Sequence, residues 1–515
     1  MRPSRFSQHV PDILDCLAQL SNDEVPTPPK LARDMLDLLP AEVWTRHDFA
    51  WLDPFSKSGV FLREVAARLL VSLADWEPDF AKRRDHILRN MLFGASITEM
   101  TGIISRRSLY CSADASGPYS VVRFDHPQGN LPFVPGEHDF DNKGRCRRCG
   151  APDTIERGAD RENHAYSFIH GTYPTKELAR MKFDVIVGNP PYQLDDGGHN
   201  ASAVPIYQHF VQQAIDLAPR YVVMITPSRW FAGGRGLDSF RNRMLNDGRI
   251  RRLVDYPKLY DAFPGVKIRG GVSYFLWDRD HPGDCEVQTM VDGMPVGPAV
   301  SRSLSAYDVL VRRNEAVSIL EKVQAFETEG GESEPVLRDR VSGGKPFGLR
   351  TFFHGKSSAA RMGDPVKLFG SKKISWIERD EIPTNSDWVD DWKVLMTAVQ
   401  GTSAAVETMF LSRPIIAGPG TACTETYLVA GRFTTEEDAE HYAAYLRTRF
   451  VRFLVSLRKA TQHATRDVYS FVPDVPLDRV WTDEDLYVRY GLTQDEVEFI
   501  ESQVKSMTTD EGGAA

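Results

Sequence analysis

An apolar run that stops at two consecutive prolines constrains the fold of this chain more than any other feature. Residues 183–188 read FDVIVG and lead into Asn189, Pro190, Pro191 and Tyr192. The run predicts a buried strand, and the prolines end it because they have no N–H to donate to a neighbouring strand. We therefore expect a rigid turn, residues 189–192, at the carboxyl end of a sheet strand.

This turn carries groups that suit an amino nitrogen. The Asn189 side chain and the Pro190 main chain each offer a carbonyl oxygen, and two neighbouring acceptors match the two hydrogens of an NH2 group. Tyr192 offers a flat face on which a base can stack once it has left its helix. Methyl transfer to such a nitrogen needs positioning more than a general base. We predict that Asn189, Pro190, Pro191 and Tyr192 are catalytic; the alternative is a rigid turn without chemistry.

A strand, a turn of small residues and a helix come earlier in the chain. Residues 48–54 predict a strand that reaches Asp53, residues 55–59 a tight turn, and residues 60–74 an amphipathic helix. Ligands of doubly wound sheets bind at the carboxyl ends of the strands. The turn suits a nucleoside that carries an amino acid, although an ordinary connection between strand and helix has the same form. Further strands are predicted at 91–97 and 221–226, with helices within 10–39 (interrupted by the prolines at 26–29) and at 206–217.

The alternation of strands and helices predicts an α/β fold with a Rossmann-like, doubly wound and mostly parallel sheet. We expect this first domain to span residues 1–290, with an insertion at about 110–170. A linker region is expected at 291–340, a mixed α+β domain at 341–506, and a disordered tail at 507–515. In the second domain the pattern predicts strands at 414–417 and 426–429 and one helix at 435–457.

Composition excludes some classes of protein. The 515 residues contain no run of about 18 apolar residues, and no secretory signal is evident near the N-terminus, so no membrane partner is expected. Six cysteines are too few for a disulfide framework in a chain of this length. A reducing compartment, the cytoplasm, is the predicted location.

The insertion contains a pair of cysteines with metal-binding spacing. Cys146 and Cys149 are separated by two residues and can present two thiolates to one zinc ion. Zinc needs two more ligands, and we expect Cys111 and His164, which flank the insertion, to complete a structural site. Two free cysteines in a loop remain the alternative. His126, His138 and His170 are the other available ligands.

Two basic stretches lie in the C-terminal half of a chain whose net charge is -9. Residues 345–373 contain seven Lys or Arg and one acid, and residues 441–466 contain six Lys or Arg and none. Such stretches can contact phosphates, which position a nucleic acid without specifying its sequence; solvated surfaces are the alternative. The residues predicted to read base edges are Arg458, Lys459, Gln462 and Arg466.

Together these motifs resemble the gamma-type N6-adenine DNA methyltransferases of restriction–modification systems. The resemblance rests on Thr27-Pro28-Pro29, on residues 53–62 and on the turn 189–192, in that order, and it extends through residues 225–231. It implies that S-adenosylmethionine is the cofactor. The residues that it places around the cofactor are Thr27, Pro28, Asp53, Pro54, Gly59 and Phe61.

This chain departs from the family pattern at three places. The turn after the first strand reads Ser56-Lys57 where the family has Cys-Gly. The second strand ends on Ser96 where the family has an acid that grips the ribose, and Glu99 is the predicted substitute. The acid expected near the cofactor adenine is missing from residues 169–172.

The resemblance implies a site-specific enzyme that methylates N6 of an adenine flipped out of double-stranded DNA. Residues 341–506 would form its target-recognition domain, and a separate restriction endonuclease or helicase subunit would be a partner. Two alternatives stay open. One is methylation of an amino group on RNA or on a protein glutamine, and the other is a DNA-binding subunit that keeps the fold without catalysis.

Overall fold

The computed structural model describes residues 26–153, 165–193, 204–234, 236–258, 260–264, 270–326, 331, 333–371, 373–399, 410–459 and 464–507. The chain divides into two compact units. Unit 1 comprises Met1–Trp230 and Gly234–Asp308, and unit 2 comprises Phe231–Gly233 and Val309–Ala515. Of the helices predicted within residues 10–39, the part before residue 26 lies outside the described residues.

Unit 1 is built on strands and helices that largely follow the predicted alternation. Its strands are β1 Trp51–Ser56, β2 Leu92–Ser96, β3 Pro135–Gly136, β4 Ala165–Tyr166, β5 Val185–Gly188, β6 Tyr221–Pro227, β7 Ile250–Tyr256, β8 Val272–Asp278, β9 Cys285–Val291 and β10 Met294–Arg302. Its α-helices are α1 Pro29–Leu36, α2 Val60–Ser72, α3 Phe80–His86, α4 Glu99–Tyr110, α5 Ser167–His170, α6 Lys176–Ala179, α7 Tyr207–Asp216 and α8 Asp238–Asn246. Helix α1 begins at the proline pair because a proline at the first helical position lacks only an N–H that would be unpaired there.

Eight of these strands form one mixed sheet in the order β10-β9-β7-β8-β6-β5-β1-β2. Strands β2, β1, β5 and β6 pair in parallel, whereas β8 is antiparallel to both β6 and β7. Strands β7 and β9 are also parallel, so four of the seven strand pairs are parallel, and the expectation of a mostly parallel sheet fails only at β8 and β10, which run opposite to the other six strands. Strand β8 lies between β7 and β6 in the sheet and runs opposite to both.

The parallel half of the sheet is covered on both faces. Every residue of β1, β2, β5 and β6 is buried, as expected for parallel strands with helices on either side. On one face, alternate residues such as Val185 and Val187 join a core cluster with Leu31 and Met35 of α1 and Leu62 of α2. The carboxyl ends of β1, β2 and β5 consequently share one edge of the sheet.

Residues 291–340, predicted as a linker, contain regular structure. Strand β10 extends the sheet through an antiparallel hairpin with β9, and helix α9, Glu315–Gln324, belongs to unit 2. The division between the two units falls at Asp308 instead. The hairpin was missed because its β10 residues are almost all exposed and lack apolar alternation.

Unit 2 mixes small sheets with helices. Strands β11 Pro365–Phe369, β12 Ile374–Glu378 and β15 Thr421–Cys423 form one sheet, and β13 Trp392–Thr397, β14 Ile415–Ala417 and β16 Tyr427–Phe433 form another. Its remaining α-helices are α10 Glu436–Arg447, α11 Arg449–Arg458, α12 Asp483–Arg489 and α13 Gln494–Gln503. The helix predicted at 435–457 is two helices, because Thr448 leaves helical geometry and its hydroxyl accepts the Val451 N–H as the cap of α11. In the described part of the chain, every helix is too short or too polar to cross a bilayer.

Replacing Gly59 by alanine tests the turn after β1. Gly59 has a φ of +72° and a Cβ there would lie 3.0 Å from the Ser105 Cα of α4, whereas Gly293 in the β9–β10 hairpin has a φ of +76° with open space around it. Both variants carry the backbone strain of about 1–2 kcal/mol, and only Gly59→Ala adds a steric collision. We expect its Tm in thermal denaturation to lie at least about 2 °C below that of Gly293→Ala. Equal melting temperatures of the two variants would show that the backbone of α4 at Ser105 does not collide with a Cβ at position 59.

Candidate active site

The turn after β5 is held by one buried hydrogen bond. Asn189 Nδ2 donates to Thr27 Oγ1 over 3.1 Å, joining residues 162 positions apart. Thr27 and Asn189 are both buried. The bond fixes the amide plane, and the other amide atom, Oδ1, is buried without a hydrogen-bond partner in the described part of the chain. Held in this orientation, Oδ1 is available to a hydrogen-bond donor of a ligand.

The rest of the turn is rigid and only partly covered. Pro190 and Pro191 are buried, while Tyr192 is partly exposed and packs against the core cluster of unit 1. The Tyr192 hydroxyl is buried with no partner among the residues described, and burial raises the pKa of this phenol well above its usual range. Tyr192 therefore stays neutral and offers ring surface rather than charge.

Asp53 is the third residue of β1 and directly follows Leu52, the last residue of that strand that pairs with β5. A Cβ on Gly188 would collide with the ring of Phe55 and lie 2.9 Å from Asp53 Oδ1, so only glycine allows the two strand ends to approach this closely. Burial raises the pKa of the Asp53 carboxyl to about 7, against the lowering effect of the Phe55 N–H. A cation bound beside Asp53 would favour its ionised form.

A pocket opens along the carboxyl ends of β1 and β2. It is lined by Pro54, Ser96, Ile97, Val134, Tyr166, Ser167, Phe168 and Phe210. The rings of Phe168 and Phe210 are nearly parallel, with centroids 6.4 Å apart. The Ser96 hydroxyl is buried and finds no partner in the described chain. Apolar and aromatic walls with a few unpaired polar atoms are typical of a site for a small organic ligand.

The residues predicted to hold the cofactor differ in where the structure places them. Pro54 lines the pocket, and Pro28 precedes α1 beside Thr27. Two others have a different environment from the one predicted. The open side of Gly59 faces Ser105 of α4 rather than a ligand, and Phe61 packs in the core cluster. Glu99 is exposed in the first turn of α4 and is not among the residues that line the pocket.

Four possible metal ligands meet in the insertion. The ligand atoms of His138, Cys146, Cys149 and His170 all lie within 4.8 Å of one another. Cys146 Sγ is 3.4 Å from His170 Nε2, and Cys149 Sγ is 3.5 Å from His138 Nδ1. The predicted completion by Cys111 and His164 is corrected, because Cys111 is exposed at the end of α4 and takes no part in this cluster. His164 lies outside the described residues.

The surroundings of the four side chains suit a metal. Gly150 takes a φ of +72°, and its N–H donates to the Cys146 carbonyl over 2.8 Å, which folds the two cysteines into a knuckle. His170 Nδ1 lies 2.8 Å from the Tyr166 carbonyl, so Nε2 is the nitrogen left for a ligand. Burial lowers the pKa of His170, which favours the neutral imidazole that metals bind.

Two of the four residues predicted to read DNA bases are engaged inside unit 2. The Arg458 guanidinium lies over the Phe471 ring, 4.7 Å from its centroid. The Lys459 ammonium donates to the Phe410 carbonyl over 2.6 Å, and burial lowers its pKa to about 8. Arg466 is exposed and 3.9 Å from Asp339, and Gln462 lies outside the described residues.

The two basic stretches differ in exposure. Within residues 441–466, Arg452 is fully buried and donates to the carbonyls of Arg447, Thr448 and Lys505. Arg452 therefore cannot supply one of the phosphate contacts that were predicted for this stretch. In residues 345–373 the exposed side chains include Arg350, Phe352, His354, Lys356, Arg361 and Lys373.

Sequence reasoning missed the aromatic wall of the pocket. Tyr166, Ser167 and Phe168 precede the segment 169–172, in which an acid was sought. Their signal was the alternation of apolar and small residues immediately before that segment. His138 and His170 were recognised as possible ligands, but nothing local in the sequence distinguishes them from His126.

Replacing Asp53 by Asn is expected to stabilise the protein above neutral pH. Because burial raises the pKa of this carboxyl from 3.8 to about 7, the folded protein keeps a proton that the unfolded chain releases. The stability that the group contributes is full below about pH 4 and is lost as the pH rises through 7. Asp53→Asn should melt several degrees above the unsubstituted protein at pH 8, with the difference disappearing near pH 4.

Asp247 provides the matched control for this measurement. Its side chain accepts bonds from Arg249 and Trp277, and these hold its pKa below the ordinary value despite burial. Asp247→Asn should therefore lower the Tm at pH 8, the opposite sign. A pH-independent effect of Asp53→Asn would contradict the assigned shift.

Comparison with known proteins places the chain in a family. A family model described as Eco57I restriction-modification methylase matches residues 90–263. A protein of Mycoplasma pneumoniae described as an uncharacterized adenine-specific methylase is 34% identical over 314 residues, a match that covers 55% of this chain and 74% of the relative. The matched model spans β5 and the turn 189–192.

Two solved structures are similar over most of this chain. One, the ATP-dependent Type ISP restriction-modification enzyme LlaBIII bound to DNA, matches over 95% of this chain and 40% of its own length, at 12% identity and a TM-score of 0.48. The other, a DrdV–DNA complex, matches over 93% of this chain and 57% of its own, at 10% identity and a TM-score of 0.47. This chain thus spans about half the length of these solved enzymes.

On its relationship to the mycoplasma protein, the chain belongs to the adenine-specific methylases of the restriction–modification type.

Proposed function

We propose that this chain transfers a methyl group from S-adenosylmethionine to the N6 amino group of an adenine that has been flipped out of double-stranded DNA. Membership of the adenine-specific methylases supports the type of reaction. The observation that carries the finer assignment is the buried, unpartnered Oδ1 of Asn189 beside two buried prolines. An exocyclic amine supplies the donors that this acceptor lacks.

The turn would act by orienting the amine. The Thr27 hydroxyl holds the Asn189 amide, so Oδ1 and the Pro190 carbonyl can accept the two N–H groups of the base. Those bonds favour a tetrahedral nitrogen whose lone pair points away from both acceptors. The partly exposed ring of Tyr192 would support the flipped base by stacking. No residue of the turn needs to remove a proton before the nitrogen attacks, and the amine proton leaves after the new N–C bond has formed.

The cofactor that the family implies would reach this pocket with its nucleoside part. When bound, S-adenosylmethionine supplies a methyl group on a sulfonium, whose C–S bond breaks as the N–C bond forms. Tyr166, Phe168 and Phe210 would enclose the adenine ring, and the unpartnered Ser96 hydroxyl would bond the ribose in place of the family's acid. Asp53 would face the ammonium group of the methionine part. These assignments replace Phe61 and Glu99, and they leave Gly59 a structural role.

Unit 2 would bind the DNA through an exposed basic segment. Arg350, Lys356 and Arg361 are exposed there, and the exposed fraction of Phe352 between them is 78%. Guanidinium and ammonium groups bind phosphates, and an exposed aromatic ring can stack on a base. Arg466 stays a candidate for reading bases. A separate nuclease or helicase subunit and a cytoplasmic location remain predictions.

Replacing Asn189 by alanine should abolish methylation while leaving the cofactor bound. Loss of one positioned hydrogen-bonding group lowers kcat by about 100- to 1,000-fold in comparable sites. Incorporation of labelled methyl groups into DNA measures the loss of methylation. Calorimetry measures whether the variant still binds the cofactor. Asn246→Ala, an exposed asparagine at the end of α8, is the matched control and should keep full activity.

The same assay compares substrates. Offering DNA, RNA and protein to the unsubstituted chain should put label only into DNA, on adenine N6. Label entering only RNA or protein would contradict the DNA assignment. Absence of cofactor binding would favour a DNA-binding subunit without catalysis.

Removing the basic segment should reduce the salt dependence of DNA binding. Each lost phosphate contact lowers the slope of log K against log salt by roughly 0.9, so alanine at Arg350, Lys356 and Arg361 should lower it by up to about 2.7. Alanine at Arg338, Arg479 and Lys505, also exposed in unit 2, forms the control set; the first two lie 2.9 and 3.8 Å from carboxylates. An equal change in both sets would show that the segment 350–361 has no special part in binding.

A further inference from the structure

The metal-ligand cluster and the cofactor pocket share one small structural element. Strand β3 pairs antiparallel with β4, with Pro135 opposite Tyr166, and β4 continues directly into α5. His138 follows β3 by two residues, and His170 is the last residue of α5. Val134, Tyr166, Ser167 and Phe168 line the pocket from this element, which we call the pocket wall (residues 134–136 and 165–170).

The distances in the cluster match tetrahedral zinc. With Zn–S of about 2.3 Å and Zn–N of about 2.1 Å, sulfur and nitrogen ligands on a tetrahedron lie about 3.6 Å apart. The two Sγ···N separations are 3.4 and 3.5 Å. Two thiolates with two imidazoles select zinc over hard cations, and four protein ligands leave no position for a substrate. A site of this composition is structural.

We propose that a zinc ion bound by His138, Cys146, Cys149 and His170 holds the pocket wall in place and thereby sets the affinity for the nucleoside part of the cofactor. The coupling to the cofactor rests on the proposed function; the metal site does not. This assigns the insertion a task in the catalytic domain.

The pocket wall consists of short elements that pack against unit 1 through buried side chains such as Ala165, Phe168 and Ile169. Strands β3 and β4 have two residues each and α5 has four, lengths at which isolated elements do not persist in water. The strand pair is close, since a Cβ on Gly136 would lie 2.8 Å from the Ala165 carbonyl oxygen. A metal bond to His138 at one end and to His170 at the other would fix the ends of both strands, which this packing alone does not tie together.

A displaced wall would also disturb the base of the pocket. Phe168 of α5 contacts Phe55 of β1 and Phe210 of α7, with ring centroids 6.0 and 6.4 Å apart. Helix α7 follows the turn 189–192 in the chain and packs against α5. His170 thus lies in the same helix as Phe168, whose ring contacts Phe55 of β1 and Phe210 of α7, the helix that follows the turn 189–192.

Elemental analysis of the full-length chain tests the metal site. We expect one zinc per chain, lost in Cys149→Ser and retained in Cys111→Ser, whose exposed cysteine lies outside the cluster. Zinc is also removed from the unsubstituted chain with a chelator and then restored, a test that does not depend on the folding of Cys149→Ser. Substoichiometric zinc in the unsubstituted chain, or equal zinc in both variants, would overturn the site.

Cofactor affinity and amide exchange test the coupling. After chelation, we expect the affinity for S-adenosylmethionine to fall about tenfold and amide hydrogens of residues 165–170 to exchange faster, with both values restored by zinc. Unchanged exchange in 165–170 would overturn the role in holding the wall, and unchanged affinity would overturn the link to the cofactor. If the zinc-loaded chain binds no S-adenosylmethionine, the proposed function fails, whereas zinc content and exchange still decide the metal site.

Discussion

The parallel pairing of β1 with β5 is the constraint on which the rest of the candidate site depends. It aligns Trp51 with Val185 and Leu52 with Ile186, so Asp53, the next residue of β1, lies close to Gly188, and Asn189 follows at the same edge of the sheet. Glycine at position 188 lets the two ends approach, because any side chain would meet the ring of Phe55. The Thr27 hydroxyl then closes the arrangement from the segment before α1.

Unit 1 stabilises its parts by two different physical means. The parallel strands are buried on both faces and gain their stability from apolar contacts, as Val185 and Val187 do in the core cluster. In the insertion, Ala115, Val122 and Leu131 join the same cluster, whereas the cysteine knuckle has exposed polar residues around the buried Cys146 and Cys149. Four side chains that can bind one metal ion meet at the knuckle: His138, Cys146, Cys149 and His170. The pocket is lined from both parts of the unit, by Pro54 of the parallel sheet and by Phe168 of helix α5.

The sequence predicted the features that depend on local pattern. The strand before Asn189, the helix from Val60 and the helix after the proline pair all have strong periodicity or clear end signals, and they lie where expected to within a few residues. Features that depend on distant pairing were not predictable. His138 and His170 join the cysteines because β3 pairs with β4, and Arg452 is buried because it bonds the Lys505 carbonyl. A count of basic residues cannot distinguish such an arginine from one that faces solvent.

The unpaired Asn189 oxygen has a consequence for how this protein can change. A buried acceptor without a donor raises the free energy of the folded chain by about 1–3 kcal/mol, and a bound amine would remove that penalty. Thermostability in the absence of ligand and catalytic competence therefore oppose each other at position 189. Selection for a higher melting temperature of the ligand-free protein would replace Asn189, whereas selection for methylation activity would retain it.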